Sequence, residues 1–530
     1  MKRSIKRMMR SVAIASVLSM LICLIPQGAI NPFPEANAEA SASAGEPGII
    51  REIVSKRTES SKTFLREDGS YLELVSFAPV HYRDENQEWQ DIDNTLSEQT
   101  ENGQTVIANQ AAGYRVEFPT GLSAESTVTM KKDEHALSFR LLEAKGRAKN
   151  QLKNPKSARA RKTDSPGELL EFEKKSTAVV YPNVQDGTTI RYDVLSNQLK
   201  ESIILTKKPG KAVSYTYEVT ADGMLAQLHD DGSVDFVSED TEESVFHMPA
   251  PFMSDSASIP VYSDAVEVAL ESSGQGIYRL TYTPDPDWLS DENRVYPVTI
   301  DPTMEDQSVA ALDGTYTPEQ MPNYNYYPSM GTWMSADMGN LGRIDTYIKF
   351  MGLSRIPENI LLNKATLNLY CTDKKTRNYV KVQELTSSVD LATVTYNTRP
   401  SVSSVIEDYV PIQTGWNTLD VTHSLGRWWS GETVHGFMVQ AVGTKDPVYF
   451  VSRDATGDNA AYRPYLALTY QPMIGYDEAV DHHTVDMGRA GTASIDDVRG
   501  FLTIRRDDLS IDGNRMPVEY GMDYLGLVET

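Results

Sequence analysis

Three kinds of side chain in this 530-residue sequence could do chemistry, and each makes its own demand on geometry. Asp481-His482-His483 with Asp486 combines imidazole and carboxylate, both competent metal ligands. Adjacent histidines on an extended chain point to opposite faces, so this segment reads as a polar linker rather than a metal site. Asp91 with Asp93, and Asp285 with Asp287, have the residue types of a glycosidase acid–base pair, which would need a sugar-sized cleft between them. In a chain with 74 acidic residues such pairs recur by composition alone. Aromatic rings are the third kind: a flat ring stacks on the apolar face of a sugar while polar neighbours bond its hydroxyls. Trp333, Trp429 and the run Tyr324, Tyr326 and Tyr327 are the residues expected to be exposed for such stacking, whereas Trp428 is expected in a core. The chain has no G-x-S-x-G elbow, H-E-x-x-H helix, P-loop or Cys–His nucleophile pair, so no catalytic residue and no cofactor is expected. Calcium would suit the acidity, but no D-x-D-x-D-G loop is present to hold it.

The ends and the charge set where such side chains would work. Lys2, Arg3, Lys6, Arg7 and Arg10 precede an apolar run from Ser11 to Ile25, and Ala36-Asn37-Ala38 offers a small-residue cleavage site. Residues 1–38 therefore read as a secretory signal peptide, and the protein is expected outside the cytoplasm, released or held at the wall without a membrane span. Ile22 before Cys23 is too large for a lipobox, so lipidation is not expected. Removal of that segment takes the formal charge from −24 to about −28, which argues against nucleic acid as the main partner. Only Cys371 would remain, so no intramolecular disulfide is expected and stability must come from burial.

The elements that must position these residues are strands. Val213, Tyr215, Tyr217 and Val219 share one face of an extended segment, while Ser214, Thr216 and Glu218 share the other. Leu199 to Leu205, Val266 to Leu270 and Tyr278 to Tyr282 broadly repeat the type. Asp-Gly pairs at 68–69, 186–187, 222–223, 231–232 and 313–314 favour tight hairpins. The fold class is all-β, with tandem β-sandwich-like domains. One short helix is expected where Thr422 would cap a turn that sets Leu425 against Trp428 and Trp429, plugging an open end of a sandwich. Between Ala144 and Thr163 eight basic residues occur without an acid, which reads as a solvated basic loop. The expected divisions are 1–38, 39–165 with a flexible lead-in and that basic linker, 166–303, 304–472 and 473–530.

Several of these motifs have family counterparts. Tyr347-Ile348-Lys349-Phe350, Ala365 to Tyr370, Thr393 to Pro400, Trp416 to Thr422, Gly436-Phe437, Phe450 to Arg453 and Arg463 to Leu466 follow one another within 304–472. In order and spacing this segment resembles the DNRLRE domain of secreted bacterial proteins, grouped with carbohydrate-binding modules. The resemblance implies a non-catalytic β-sandwich whose partner is a polysaccharide or cell-wall glycan. Upstream, His81 to Asp84 with Trp89 to Leu96, Leu199-Lys200-Glu201, Trp288-Leu289 and Arg294 to Thr303 are similar to the N-terminal parts of wall-associated proteins of the Rhs or YD-repeat type, as are Asp486 to Gly491 and Asp508 to Val518 downstream. That resemblance implies a repeat shell after the last motif, and none lies within the 530 residues. The chain is then expected to be either a stand-alone surface module or the structural N-terminal scaffold of a truncated or split carrier without glycan binding.

Overall fold

Alternation along the chain is realised as strands almost throughout, and the way the strands pair decides which side chains meet. A computed structural model describes residues 46–526 except 102, 146–147, 154–164, 258–259, 306–311, 328–332, 339–340, 352–359, 375–377, 444–447, 454, 473–481, 497–501 and 512–517. The expected signal peptide and most of the basic linker lie outside the described residues. The body begins at Ile49; of the unit that ends at Gly48, residues 46–48 alone are described, and they form neither helix nor strand. Among the described residues no helix is long and apolar enough to cross a membrane.

Among the described residues, those from about 97 to 305 build two large sheets, of eight and eleven strands, and the small pair Gly121–Leu122 and Ala148–Lys149 over one apolar core. The predicted strand at 213–219 is Tyr215–Asp222, with Tyr215, Tyr217 and Val219 buried and Thr216 and Glu218 half-buried on the opposite face. Side chains from both sides of the expected divide at 165/166 share this core, Phe118 and Leu137 before it and Tyr181 and Ile203 after it. Neither half could bury its apolar face alone.

The second assembly is a sandwich made mainly of residues 312–472. One layer orders the strands Leu312–Pro318, Gly342–Phe350, Phe437–Val442, Tyr379–Glu384 and Asp408–Pro411; the other contains Ile360–Lys374, Gly415–Asp420, Val448–Val451 and Tyr465–Pro472. Val380, Val382, Phe437 and Val439 of the first layer pack against Leu367, Leu369, Leu466 and Leu468 of the second. The second layer does not end within its own segment. Strand Tyr71–Ser76 pairs with Tyr465–Pro472 in the register Tyr71 to Tyr470, and Ser61–Arg66 and Ile49–Glu52 extend the sheet outward. Both faces of Ser61–Arg66 and Tyr71–Ser76 are buried. Leu65, Tyr71 and Val75 join the sandwich core, while Phe64, Leu72 and Leu74 meet Leu170 and Phe172 on the other side. A strand buried on both faces loses the alternation that would announce it.

The turns divide by context. Gly69, Gly187 and Gly232 have φ of +75°, +75° and +89° and close hairpins as expected. Asp222-Gly223 also turns, but its flanking strands belong to different sheets, so it forms a corner rather than a hairpin. Asp313-Gly314 is no turn at all, since both residues lie inside strand Leu312–Pro318. A Cβ on Gly314 would lie 2.7 Å from the Tyr347 carbonyl oxygen, so the glycine serves the close approach of two strands. The expected helix is Thr422–Trp429, begun by Val421 rather than capped by Thr422. The Thr422 hydroxyl instead accepts the Ala365 N–H at 2.9 Å, tying the helix to the sheet. Leu425 is buried and both tryptophans lean on the same core, as a plug would.

Candidate functional site

The outward face of the first sandwich layer is where polar and aromatic side chains converge. Tyr379-Val380-Lys381-Val382 alternates, so Val380 and Val382 enter the core while Tyr379 and Lys381 face out. Pairing then lines up one row: Lys381 is opposite Tyr409 on one side and Gln440 on the other. The Gln440 amide donates to Asp345 Oδ1 at 2.6 Å, carrying the row across to the next strand. At the open end the rings of Tyr379 and Tyr409 stack at 4.8 Å with 5° between their planes, and both are exposed, 40% and 46%.

The other end of the face lies under the loop of residues 385–403. Leu391, Val394 and Val389 cover Tyr347 and Met438 there. The loop is pinned from beneath, because the Asn325 amide donates to the Leu391 and Val394 carbonyls at 3.0 and 2.7 Å and the Asn397 N–H donates to the Pro322 carbonyl at 3.0 Å. Its rim brings Tyr396 and Arg399 to the row, with the Arg399 guanidinium 3.6 Å from the Tyr396 ring centre. Asp345, with its side chain 1% exposed, receives Arg343 at 2.8 Å and Arg399 at 3.3 Å as well as Gln440. One buried carboxylate thus orients two guanidinium groups and an amide. Partial burial works against the charged form of Arg343, but the hydrogen bond and charge of Asp345 outweigh it and raise its pKa. Burial lowers Lys381, with Asp345 opposing and Arg343 adding to the shift. In a strongly acidic chain this face gathers three cations around one carboxylate, beside a pair of stacked rings.

The residues singled out in the sequence take other places. Tyr326 was expected to be exposed and is 2% exposed, because it stacks on Tyr316 at 4.6 Å and meets the edges of Tyr324 and Tyr262. Tyr324 is half-buried in that same cluster. Tyr327 turns away from it, donating its hydroxyl to Asp313 Oδ2 at 2.7 Å, with the Arg453 guanidinium 5.0 Å from its ring centre. These tyrosines flank Asn325, so they support the loop that borders the face. Trp429 is half-buried 6.2 Å from Tyr470 on the helix side. Trp333 opens strand Trp333–Met338 opposite Val451, and its side chain is outside the described residues. Asp91 pairs with Lys62 and Arg57, and Asp285 caps the turn Pro286–Ser290, so neither of the carboxylate pairs faces a shared cleft. His482 and His483 sit on one strand, and among the described residues no group of three or more acidic, histidine or cysteine side chains could hold a metal.

A β-sandwich with an outward sheet face of stacked rings and anchored polar groups has the geometry of a module that lies against a polymer. Residues 305–470 match the model of carbohydrate-binding module family 96. Across most of its length the chain is also similar to larger proteins. It is 28% identical over 509 residues to the tRNA3(Ser)-specific nuclease WapA of Bacillus spizizenii and 28% identical over 510 residues to the tRNA nuclease WapA of Bacillus subtilis. Each alignment covers 88% of this chain and 21% of the relative, so the chain spans about a fifth of those proteins' length. A wall-associated protein of Geobacillus stearothermophilus is 22% identical over 209 residues, 39% of this chain and 75% of that protein.

Proposed function

We propose that this is a secreted, surface- or wall-associated protein whose residues 305–470 bind a polysaccharide without catalysis, through the row from Tyr409 and Tyr379 to Arg399. The observation that carries the reading is the exposed, nearly parallel Tyr379–Tyr409 stack, set in register with Lys381, Gln440 and Asp345 inside the segment that matches a carbohydrate-binding family. The stacked pair leaves an outer ring face exposed against which a sugar ring can pack, and the fixed guanidinium and amide groups supply donors to its oxygens. Affinity electrophoresis of the full chain in gels containing wall, plant or algal polysaccharides tests this. Retardation by at least one polymer is expected, reduced in Tyr379→Ala/Tyr409→Ala. Equal mobility in every gel would overturn it.

A second reading draws on the chain spanning about a fifth of its curated relatives' length: it is the structural N-terminal scaffold of a truncated or split Rhs or YD-repeat carrier, without glycan binding. The genomic DNA beyond the codon for Thr530 tests it, a run of YD repeats supporting it and unrelated sequence opposing it. The nuclease activity named for the relatives is not proposed for these residues, and purified chain is expected to leave tRNA intact.

A further inference from the structure

We propose that a second glycan site lies outside the family-matched segment, in the cleft between strands Ser61–Arg66 and Tyr71–Ser76 and the hairpin His81–Arg83/Trp89–Asp91, and that it takes a glycan bearing an anionic group, carboxylate or phosphate. The cleft has a volume of about 720 Å³, within the range of small-ligand sites. Glu73, Tyr470, Trp89 and Gln90 are among the residues that line it. Only Tyr470 among these residues belongs to the segment 305–470, so the cleft exists because the N-terminal strands extend that sheet.

The walls are held before any ligand arrives. His81 Nδ1 bonds the Thr58 carbonyl at 2.6 Å, and Asp91 across the hairpin receives Lys62 at 2.5 Å and Arg57 at 2.9 Å. Arg57 is spent on Asp91 and Glu52. Two other cations line the cleft without an ion pair, and Glu88, which lines it with them, is exposed. Arg83 donates to the Gln87 carbonyl and lies with its guanidinium 3.9 Å from the Trp89 ring centre, and Lys56 sits 5.2 Å from that of Tyr71. Among the described residues neither reaches a carboxylate within ion-pair distance. Glu73 is 7% exposed and accepts the Ser61 hydroxyl at 2.8 Å; burial pushes its carboxyl up, with that hydrogen bond and the charge of Lys56 opposing. Rigid aromatic and amide groups beside cations that have no ion pair recognise a sugar with an acidic substituent. The motif that builds the wall, His81 to Asp91, has no role in the outer face.

The ligand class rests on the proposed glycan-binding function, and the site is distinguished from the outer face by separate variants. Titration calorimetry of the full chain would use three probes: oligogalacturonate for carboxylate, oligomers of poly(glycerol phosphate) for phosphate, and maltohexaose as a neutral control. At least one acidic probe is expected to bind, and Lys56→Met/Arg83→Met to weaken it about tenfold, the equivalent of losing about one charge-assisted contact. Tyr379→Ala/Tyr409→Ala is expected to leave that component unchanged. Loss in the tyrosine variant alone would overturn the cleft site while sparing the outer face, and equal binding of maltohexaose would overturn the anionic class. In the unsubstituted protein the Trp89 indole ¹⁵N–¹H resonance, assigned by comparison with Trp89→Phe, is expected to shift on titration with the acidic probe. A resonance that stays in place at saturation overturns the proposal even if the double variant fails to fold.

Discussion

Asp345 orients three donors at once, and that makes it more than a surface acid. Replacing it with Ala would leave Arg343, Arg399 and Gln440 without their shared acceptor. Because the guanidinium groups are partly exposed and water can replace part of what they lose, the expected destabilisation is about 1–2 kcal/mol rather than that of a fully buried pair. Chemical denaturation checks the stability, and polysaccharide retardation is expected to fall with it because the arginines lose their aim. Glu201, in the core of the two-sheet body, gives a prediction about pH. It accepts hydrogen bonds from Tyr192 at 2.6 Å and Tyr217 at 2.9 Å, yet burial dominates and pushes its carboxyl up to about 7. The folded state therefore favours the protonated form, and stability falls as pH rises from about 4.5, where the unfolded chain ionises, through about 7. The difference amounts to about 3 kcal/mol. Unfolding curves at pH 5 and pH 8 should show Glu201→Gln gaining stability over the unsubstituted protein at the higher pH, and an equal difference at both would contradict this.

Strands and turns carry the next set of expectations. Gly436 has φ +128°, and a Cβ there would collide with the Ile348 carbonyl oxygen of the neighbouring strand. Gly436→Ala is expected to cost about 2 kcal/mol or more and to lower Tm. Gly426, where a Cβ meets nothing within 4 Å inside the helix Thr422–Trp429, should instead accept Ala with unchanged or slightly higher Tm. Elements with one wet face were readable in advance: Tyr215–Asp222 showed its period of two, and Leu425 with the tryptophans showed the helical plug. Strand Tyr71–Ser76 was harder because it is buried on both sides, and Asp313-Gly314 misled because a turn dipeptide also suits a strand in close contact with its neighbour. The site was half legible for a similar reason. Alternation alone puts Tyr379 and Lys381 on one outward face, but their meeting with Tyr409 and Gln440 depends on register, which no local pattern reports. The aromatic count drew attention to Tyr324, Tyr326 and Tyr327, whose segment supports the loop that borders the face.

At the scale of the molecule, the sandwich is finished by strands from the far end of the chain. A polypeptide limited to residues 304–472 would leave the edge of Tyr465–Pro472 unpaired and uncover Leu466, Leu468 and Tyr470. Light scattering and thermal unfolding should show it to be less soluble and less stable than the full chain, and restoring residues 49–80 should reverse part of the loss. The same pairing has a consequence for the order of events during synthesis. Tyr71 and Tyr470 are partners separated by about 400 residues, a contact that closes one of the longest loops the chain can make. Strands Ile49–Glu52, Ser61–Arg66 and Tyr71–Ser76 can pair with one another early, but the free edge of Tyr71–Ser76 must wait for Tyr465–Pro472, so the two-sheet body can form early while the sandwich closes late. Refolding should accordingly show two phases, and the slower one should be the one reported by Trp428 and Trp429.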